Sequence, residues 1–303
     1  MAFTFETKPA VVHHMGAMDG SAAPPNSLEA IRTSLAAGAA VIEVDINALA
    51  DGDYLLVHDD LLEAETDGSG AVLACSSQDA RGLHIQHDRV ATALSVPLLS
   101  DVIHLFSSSG ASTRLQLDFK NLTPFQDDEP LLRLARLVEP LQERVIVSSG
   151  ADWQLRKLRK IAPWLRLGFD IMLYLGWEPQ GAQRDPRDFP RQLGAYGYYD
   201  DHILASRRAM TPFAYLHDRC ASLVRQVEDV SVFYLNHGLI AQSLLDGFNW
   251  AEQLHQHGIW LDAWTMDVTR PAAVTNAPLL YQAGVDLFTS NTPQALARLL
   301  AGS

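Results

Sequence analysis

Short apolar runs alternate along the chain with segments whose apolar residues recur at helical spacing. The runs predict strands at Ala10–His14, Val41–Ile46, Arg114–Phe119, Arg144–Ser148, Leu165–Phe169, Ser231–Leu235, Trp260–Trp264 and Val285–Ser290. The periodic segments predict helices at Leu28–Ala37, Glu129–Leu141, Trp153–Ile161, Arg208–Val227, Ile240–His255, Pro271–Gln282 and Pro293–Leu300. Ser27, Asp152 and Thr292 stand where side chains cap helix starts, and Gly38 stands where a helix stops. Strands alternating with helices imply a parallel sheet with helices outside it. Eight strands in this length match a (β/α)₈ TIM barrel better than a doubly wound sheet.

Two stretches break the alternation. Residues 54–97 follow the second strand and contain His58 and the turn Thr66-Asp67-Gly68-Ser69-Gly70. They read as a small subdomain inserted over the second βα loop, with the delayed helix at Leu98–Phe106. Residues 170–206, rich in Pro, Gly, Tyr and Trp, read as a long fifth βα loop whose Tyr196, Tyr198 and Tyr199 form either a lid or packing. Loops this long in a compact domain are usually functional. The chain as a whole, 1–303, reads as one barrel domain.

The strand Val41–Ile46 carries the strongest chemical signal. Side chains alternate along a strand, so Glu43 and Asp45 share one face while Ile42, Val44 and Ile46 share the other. Two like charges on one face of a buried strand need compensation, and a divalent cation is the usual one. Arg114–Phe119 adds Asp118, with Lys120 two residues on. In such barrels the site lies at the C-terminal strand ends. That rim collects His14 at the end of strand one, His58 after strand two and Trp264 at the end of strand seven. His237, just past strand six, is a candidate for the pocket wall. Alternation turns His13 away from His14. Three carboxylates, a lysine and imidazoles suit metal-assisted phosphoryl chemistry. The cation and Lys120 neutralise phosphate oxygens, and two of the imidazoles move protons.

Charge and composition narrow the classes. A net charge of −13 argues against a general binder of nucleic acid or anionic membrane. It leaves room for an anionic small molecule, because a bound cation reverses the local potential. The two cysteines, Cys75 and Cys220, have no metal-type spacing, so a reduced environment is expected. No apolar run is long and pure enough to span a membrane, and the first nine residues lack a secretory pattern. A cytoplasmic location follows as the expectation. The oligomeric state is not set by these features.

The ordered motifs have a family likeness. They are His14-Met15-Gly16, Pro24-Pro25-Asn26-Ser27, the run Gly38–Asp45 ending in Glu43-Val44-Asp45, Asp51-Gly52, His58-Asp59 and Thr66–Gly70. Val96-Pro97-Leu98-Leu99, Asp118-Phe119-Lys120, Trp264-Thr265 and Gly284–Pro293 follow. This set, covering nearly the whole chain, resembles the glycerophosphodiester phosphodiesterases. The resemblance implies a TIM barrel with a small insertion after strand two. It implies one divalent cation (Mg²⁺ or Ca²⁺, with Mn²⁺ as a third option) on Glu43, Asp45 and Asp118. His14 and His58 would be the acid/base pair and Lys120 a phosphate contact. The substrate would be a small-molecule glycerophosphodiester or a similar polyol or sugar phosphodiester, cleaved to a phosphomonoester and an alcohol. Water or a neighbouring glycerol hydroxyl would be the attacking group.

Four positions depart from the family pattern: Met15 replaces an Arg, Pro25 a Glu, Asp118 a Glu and Asn291 an Asp. The His-Met pair and the Asp-x-Lys strand also look like the related phospholipase D toxins. One alternative is therefore a phosphotransferase that forms cyclic phosphates from lysophospholipids, with an apolar rim supplied by Phe169, Ile171, Met172, Leu173, Tyr174, Leu175 and Trp177. A second alternative, prompted by the lost Arg and Glu, is a barrel that binds phosphodiesters without turnover.

Overall fold

The computed structural model describes residues 9–87, 90–179, 181 and 190–302. Eight parallel strands close a barrel: β1 (Ala10–His13), β2 (Val41–Ala48), β3 (Arg114–Phe119), β4 (Val145–Ser149), β5 (Arg166–Asp170), β6 (Val232–Asn236), β7 (Trp260–Trp264) and β8 (Leu287–Ser290). Each pairs with the strand before it in the chain, and β1 pairs with both β2 and β8. This is the (β/α)₈ TIM barrel expected from the strand count. The outer layer contains α1 (Leu28–Ala36), α2 (Leu99–Ser108), α3 (Glu129–Val138), α4 (Asp152–Ile161), α5 (Pro212–Gln226), α6 (His237–Leu245), α7 (Trp250–His255), α8 (Pro271–Gln282) and α9 (Pro293–Ala301).

The main core lies between strands and helices. Ile42, Val44 and Ile46 of β2 and Leu115, Leu117 and Phe119 of β3 share it with Leu131, Leu134 and Val138 of α3, all at most 1% exposed. Burying each such side chain contributes about 1.5–3 kcal/mol. A second cluster, including Val12, Val41, Ile146, Val232, Trp260 and Leu287, fills the barrel interior towards the strand N-termini. The polar inward positions are thereby left at the other end. All eight residues of β2 are buried, including its inward carboxylates.

Between β2 and α2 the chain leaves the barrel. It forms the two-residue strand Tyr54–Leu55, a helical turn at Ser77–Ala80 and an antiparallel hairpin of His84–His87 with Val90–Ser95. Leu55, Val57, Leu62, Val72, Ala80, Ile85 and Val96 give this excursion an apolar cluster of its own.

Local details differ from the sequence expectations. The segment Ile240–His255 is two helices, because Gly247 takes φ +84° and Asn249 caps a new start with its side chain. The helix expected from Arg208 begins at Pro212, capped by Thr211. Ser27 caps α1 as expected, accepting from Ala30 N. Asp152 is instead the first residue of α4, and its carboxylate takes bonds from Arg156 and Tyr174. Thr292 stands at the N-cap position of α9 without capping; its Oγ1 accepts from Val268 N. In the fifth loop, Tyr196 stacks on Tyr215 at 4.2 Å between ring centroids, and Tyr198 OH donates to Asp246. Both tyrosines are buried packing residues, the second of the two alternatives the sequence left open for them.

Candidate active site

The register of the barrel assembles the carboxylates. Asp45 of β2 lies directly opposite Asp118 of β3, and Glu43 is one inward position back. One oxygen from each of Glu43, Asp45 and Asp118 falls within 4.8 Å of the others. Glu43 and Asp45 are buried, and Asp118 is partly so.

Neighbouring groups hold this cluster in place. Glu43 Oε2 accepts the Met15 backbone N–H at 2.8 Å. Asn26 sits in the left-handed region at φ +58°, which asparagine tolerates. Its Nδ2 donates to Asp45 Oδ2 at 3.0 Å, and its Oδ1 accepts from Asp45 N at 3.2 Å. Ser148 Oγ donates to Asp118 Oδ1 at 3.3 Å. Lys120 Nζ lies 2.5 Å from Asp118 Oδ2 and 3.0 Å from Asp45 Oδ1.

The electrostatics are unbalanced. Burial, with Asp45 and Asp118 close by, pushes the Glu43 carboxyl well above the usual carboxylate range. Burial acts to raise Asp45 too, but Lys120, His58 and His14 outweigh it and leave that carboxyl below its ordinary value. Burial opposes the charge of Lys120, yet Asp118, Asp45 and Glu43 hold its ammonium well above the ordinary lysine value. Three carboxylates thus face one ammonium. The buried Asp45 Oδ1, near Lys120 Nζ, still lacks a properly directed hydrogen bond. An all-oxygen donor set with surplus negative charge and an unsatisfied buried oxygen fits a hard divalent cation.

Two imidazoles flank the cluster. His14 Nε2 is 3.8 Å from Glu43 Oε2, and its Nδ1 is 2.8 Å from Asn291 Oδ1. Asn291 Nδ2 donates to Asp267 Oδ2 at 3.1 Å, and Asn291 N donates to Asp267 Oδ1 at 2.8 Å. The amide orientation is therefore set by a carboxylate that can only accept, so His14 Nδ1 must be the donor. His58 Nδ1 lies 2.8 Å from Asp59 Oδ1, which makes that nitrogen a donor as well. Neither Nε2 has a hydrogen-bond partner among the described residues, and that of His14 faces Glu43.

A cavity of 1540 Å³ opens beside these groups, lined among others by His58, Asp118, Lys120, Asp170 and Trp264. Trp264 Nε1 is a buried donor without an acceptor among the described residues. His237 does not join this group: it opens α6 and its Nδ1 faces Asn276 Nδ2 at 2.9 Å, with burial lowering its pKa. His13 is also apart, its Nδ1 bonded to Ser34 Oγ at 2.9 Å. Asp170, unnoticed in the sequence, ends β5 on the cavity wall, where burial and the nearby Asp118 push its pKa up to about 8. Asp267 and Glu65 also carried no sequence signal, since neither lies in a spaced motif.

A family model for the glycerophosphoryl diester phosphodiesterases matches residues 16–174, more than half of the chain. The chain belongs to this family. The match to the glycerophosphoryl diester phosphodiesterases includes Glu43, Asp45, His58, Asp118 and Lys120, and begins two residues after His14. A glycerophosphodiester phosphodiesterase of Caldanaerobacter subterraneus subsp. tengcongensis is 26% identical over 163 residues, covering 53% of this chain and 66% of that protein. Glycerophosphodiester phosphodiesterase 1 of Bos taurus is 37% identical over 75 residues, covering 25% of this chain and 22% of its own. The chain thus spans less than two thirds of the length of these curated relatives. Among solved structures, a glycerophosphodiester phosphodiesterase from Parabacteroides distasonis superposes with a TM-score of 0.65 at 14% identity, covering 97% of this chain and 98% of that one. An Oleispira antarctica phosphodiesterase, solved in complex with the product sn-glycerol-3-phosphate, gives 0.60 at 18% identity, with 97% of each chain covered. At such identities these two likenesses show the fold.

Proposed function

We propose that this protein hydrolyses a small glycerophosphodiester, or a similar polyol or sugar phosphodiester, with one water, to a phosphomonoester and an alcohol. The observation that carries this reading is the three-carboxylate cluster flanked by two imidazoles, each with Nδ1 engaged and Nε2 available. Glu43, Asp45 and Asp118 would hold one divalent cation, Mg²⁺ or Ca²⁺ with Mn²⁺ as a third option, since all three offer hard oxygen donors. When bound, the cation supplies charge neutralisation and polarisation at the phosphate.

The remaining work falls to side chains of this chain. Lys120 Nζ adds a positive charge for the phosphate oxygens. Trp264 Nε1 offers a buried donor on the cavity wall. His14 and His58 between them take the proton of the attacking hydroxyl and deliver one to the departing alcohol oxygen. Met15 contributes its backbone N–H to Glu43 instead of a guanidinium to phosphate, so the cation and Lys120 carry more of the anion recognition.

Release of glycerol phosphate from glycerophosphocholine, measured with added Mg²⁺, Ca²⁺ or Mn²⁺, tests the proposal. EDTA is expected to stop turnover, and His14→Ala or His58→Ala to lower kcat by about 10²–10⁴-fold. Full activity in chelator removes the cation from the reaction. Wild-type turnover in either variant removes the two-imidazole chemistry, and no turnover of any diester in a panel favours a binding role.

One observation supports a second reading, phosphotransfer on lysophospholipids. The cavity is far larger than a glycerophosphodiester, and exposed Leu61 and Leu73 lie on its wall. The apolar rim expected from the fifth loop is mostly absent, because Phe169, Ile171 and Leu175 are buried and only Met172 of that set lines the cavity. Phosphorus NMR of the products separates a cyclic phosphate from an open phosphomonoester.

A further inference from the structure

His58 is exposed, yet its loop is fixed from two sides by groups outside the carboxylate cluster. From β2, the buried Asn47 directs Nδ2 at three successive carbonyls: Val57 at 3.0 Å, His58 at 3.2 Å and Asp59 at 3.2 Å. An amide has two N–H groups, so at least one is shared among these oxygens. From the excursion, Glu65 Oε2 accepts the His58 backbone N–H at 2.5 Å.

Glu65 is itself anchored in the small cluster of the excursion. Its carbonyl accepts Gln86 N at 2.7 Å. Its neighbour Thr66 is buried, bonds Leu62 O through Oγ1 at 2.7 Å and pairs with Ile85 across a β-bridge. The backbone N–H of an exposed loop could be satisfied by water at no cost. Here a half-buried carboxylate satisfies it instead, and burial holds that carboxyl above its ordinary range. Desolvating Glu65 costs stability, and what it secures is position.

We infer that Glu65 is a positioning residue for His58, fixing its backbone from the excursion while Asn47 fixes it from the barrel. With the backbone clamped and Nδ1 on Asp59, the place of Nε2 is defined to within small side-chain rotations. The inference rests on the reading of His58 as a proton-transfer group.

Three variants test it. Glu65→Gln keeps an acceptor oxygen, Glu65→Met keeps the length without an acceptor, and Glu65→Ala removes both. Steady-state kinetics on glycerophosphocholine are measured beside thermal melting, with His58→Ala as reference. Glu65→Met is expected to lower kcat by about 10–100-fold with KM and cation activation unchanged, because a small misplacement of a reacting group has that effect. Glu65→Gln is expected to restore most of the kcat. Wild-type kcat in a folded acceptor-free variant overturns the inference, and so does an equal loss in Glu65→Gln and Glu65→Met. If neither acceptor-free variant folds while Glu65→Gln does, Glu65 serves stability alone and the positioning role is overturned. An active His58→Ala defeats the underlying reading whatever Glu65 does. An inactive His58→Ala beside a wild-type-like Glu65→Met defeats only the positioning role.

Discussion

Asn291 gives the imidazole of His14 a direction. Its amide is committed to Asp267 through Nδ2, so Oδ1 faces His14 Nδ1 and places the proton there. Nε2 of His14 is thereby turned towards Glu43 and the cluster. Groups that orient a ring in this way typically change activity by about 10–100-fold when removed. Asn291→Leu is therefore expected to lower kcat on glycerophosphocholine by about that factor, with melting temperature largely kept. An unchanged kcat would mean that the ring is oriented by something else. In the sequence Asn291 was visible only as a departure from an Asp. Its partner Asp267, 24 residues away, was not visible, because nothing in the spacing links β7 to β8.

The turn after β1 shows what an element contributes beyond its residues. His14–Gly16 form a tight helical turn in which Met15 takes φ +51° and Gly16 φ +70°. A Cβ on Gly16 would meet Ile31 N at 3.1 Å, so close packing of the turn on α1 requires glycine. That approach carries the Met15 N–H to Glu43. His13, at the end of β1, is held against Ser34 of α1, and burial lowers its pKa to about 4. The unfolded ring keeps the ordinary value near 6.5. Being depressed when folded, His13 contributes full stability above pH 6.5, and that contribution is lost as pH falls towards 4. The loss amounts to about 3 kcal/mol at most. Replacing His13 with Gln is expected to flatten the acid limb of stability between pH 6.5 and 4, read from urea unfolding midpoints. A limb as steep as wild type would place the titration elsewhere.

At the scale of the whole molecule, barrel closure brings three carboxylates to one site. The chain carries −13, and Glu43, Asp45 and Asp118 sit together with Lys120 as the ammonium facing them among the described residues. A ligand that binds only the folded state raises its stability by mass action. Millimolar Mg²⁺ or Ca²⁺ is therefore expected to raise the melting temperature of wild type and to leave Asp45→Asn unmoved, by differential scanning fluorimetry. An equal shift in both proteins would put the cation somewhere other than this cluster. Much of the architecture is legible in the sequence. Period-2 and period-3.6 patterns reflect which faces an element must bury, and those patterns are local. Arg114–Phe119, Trp260–Trp264 and Pro271–Gln282 therefore match the observed elements end to end. The break within 240–255 was missed, because the apolar pattern runs on across Gly247 and only the chain's turn there ends the helix. The alternation in Val41–Ile46 alone determined that Glu43 and Asp45 share a face, since strand geometry leaves no other arrangement. The register that sets Asp118 beside Asp45, the Asn291–Asp267 support for His14 and the Glu65–Asn47 clamp on His58 were decided only by the tertiary structure. The Asp45–Asp118 and His14–Asn291 contacts join residues far apart in the chain and exist only once the barrel has closed, whereas the clamp on His58 spans 7 and 11 residues and needs the excursion folded against β2.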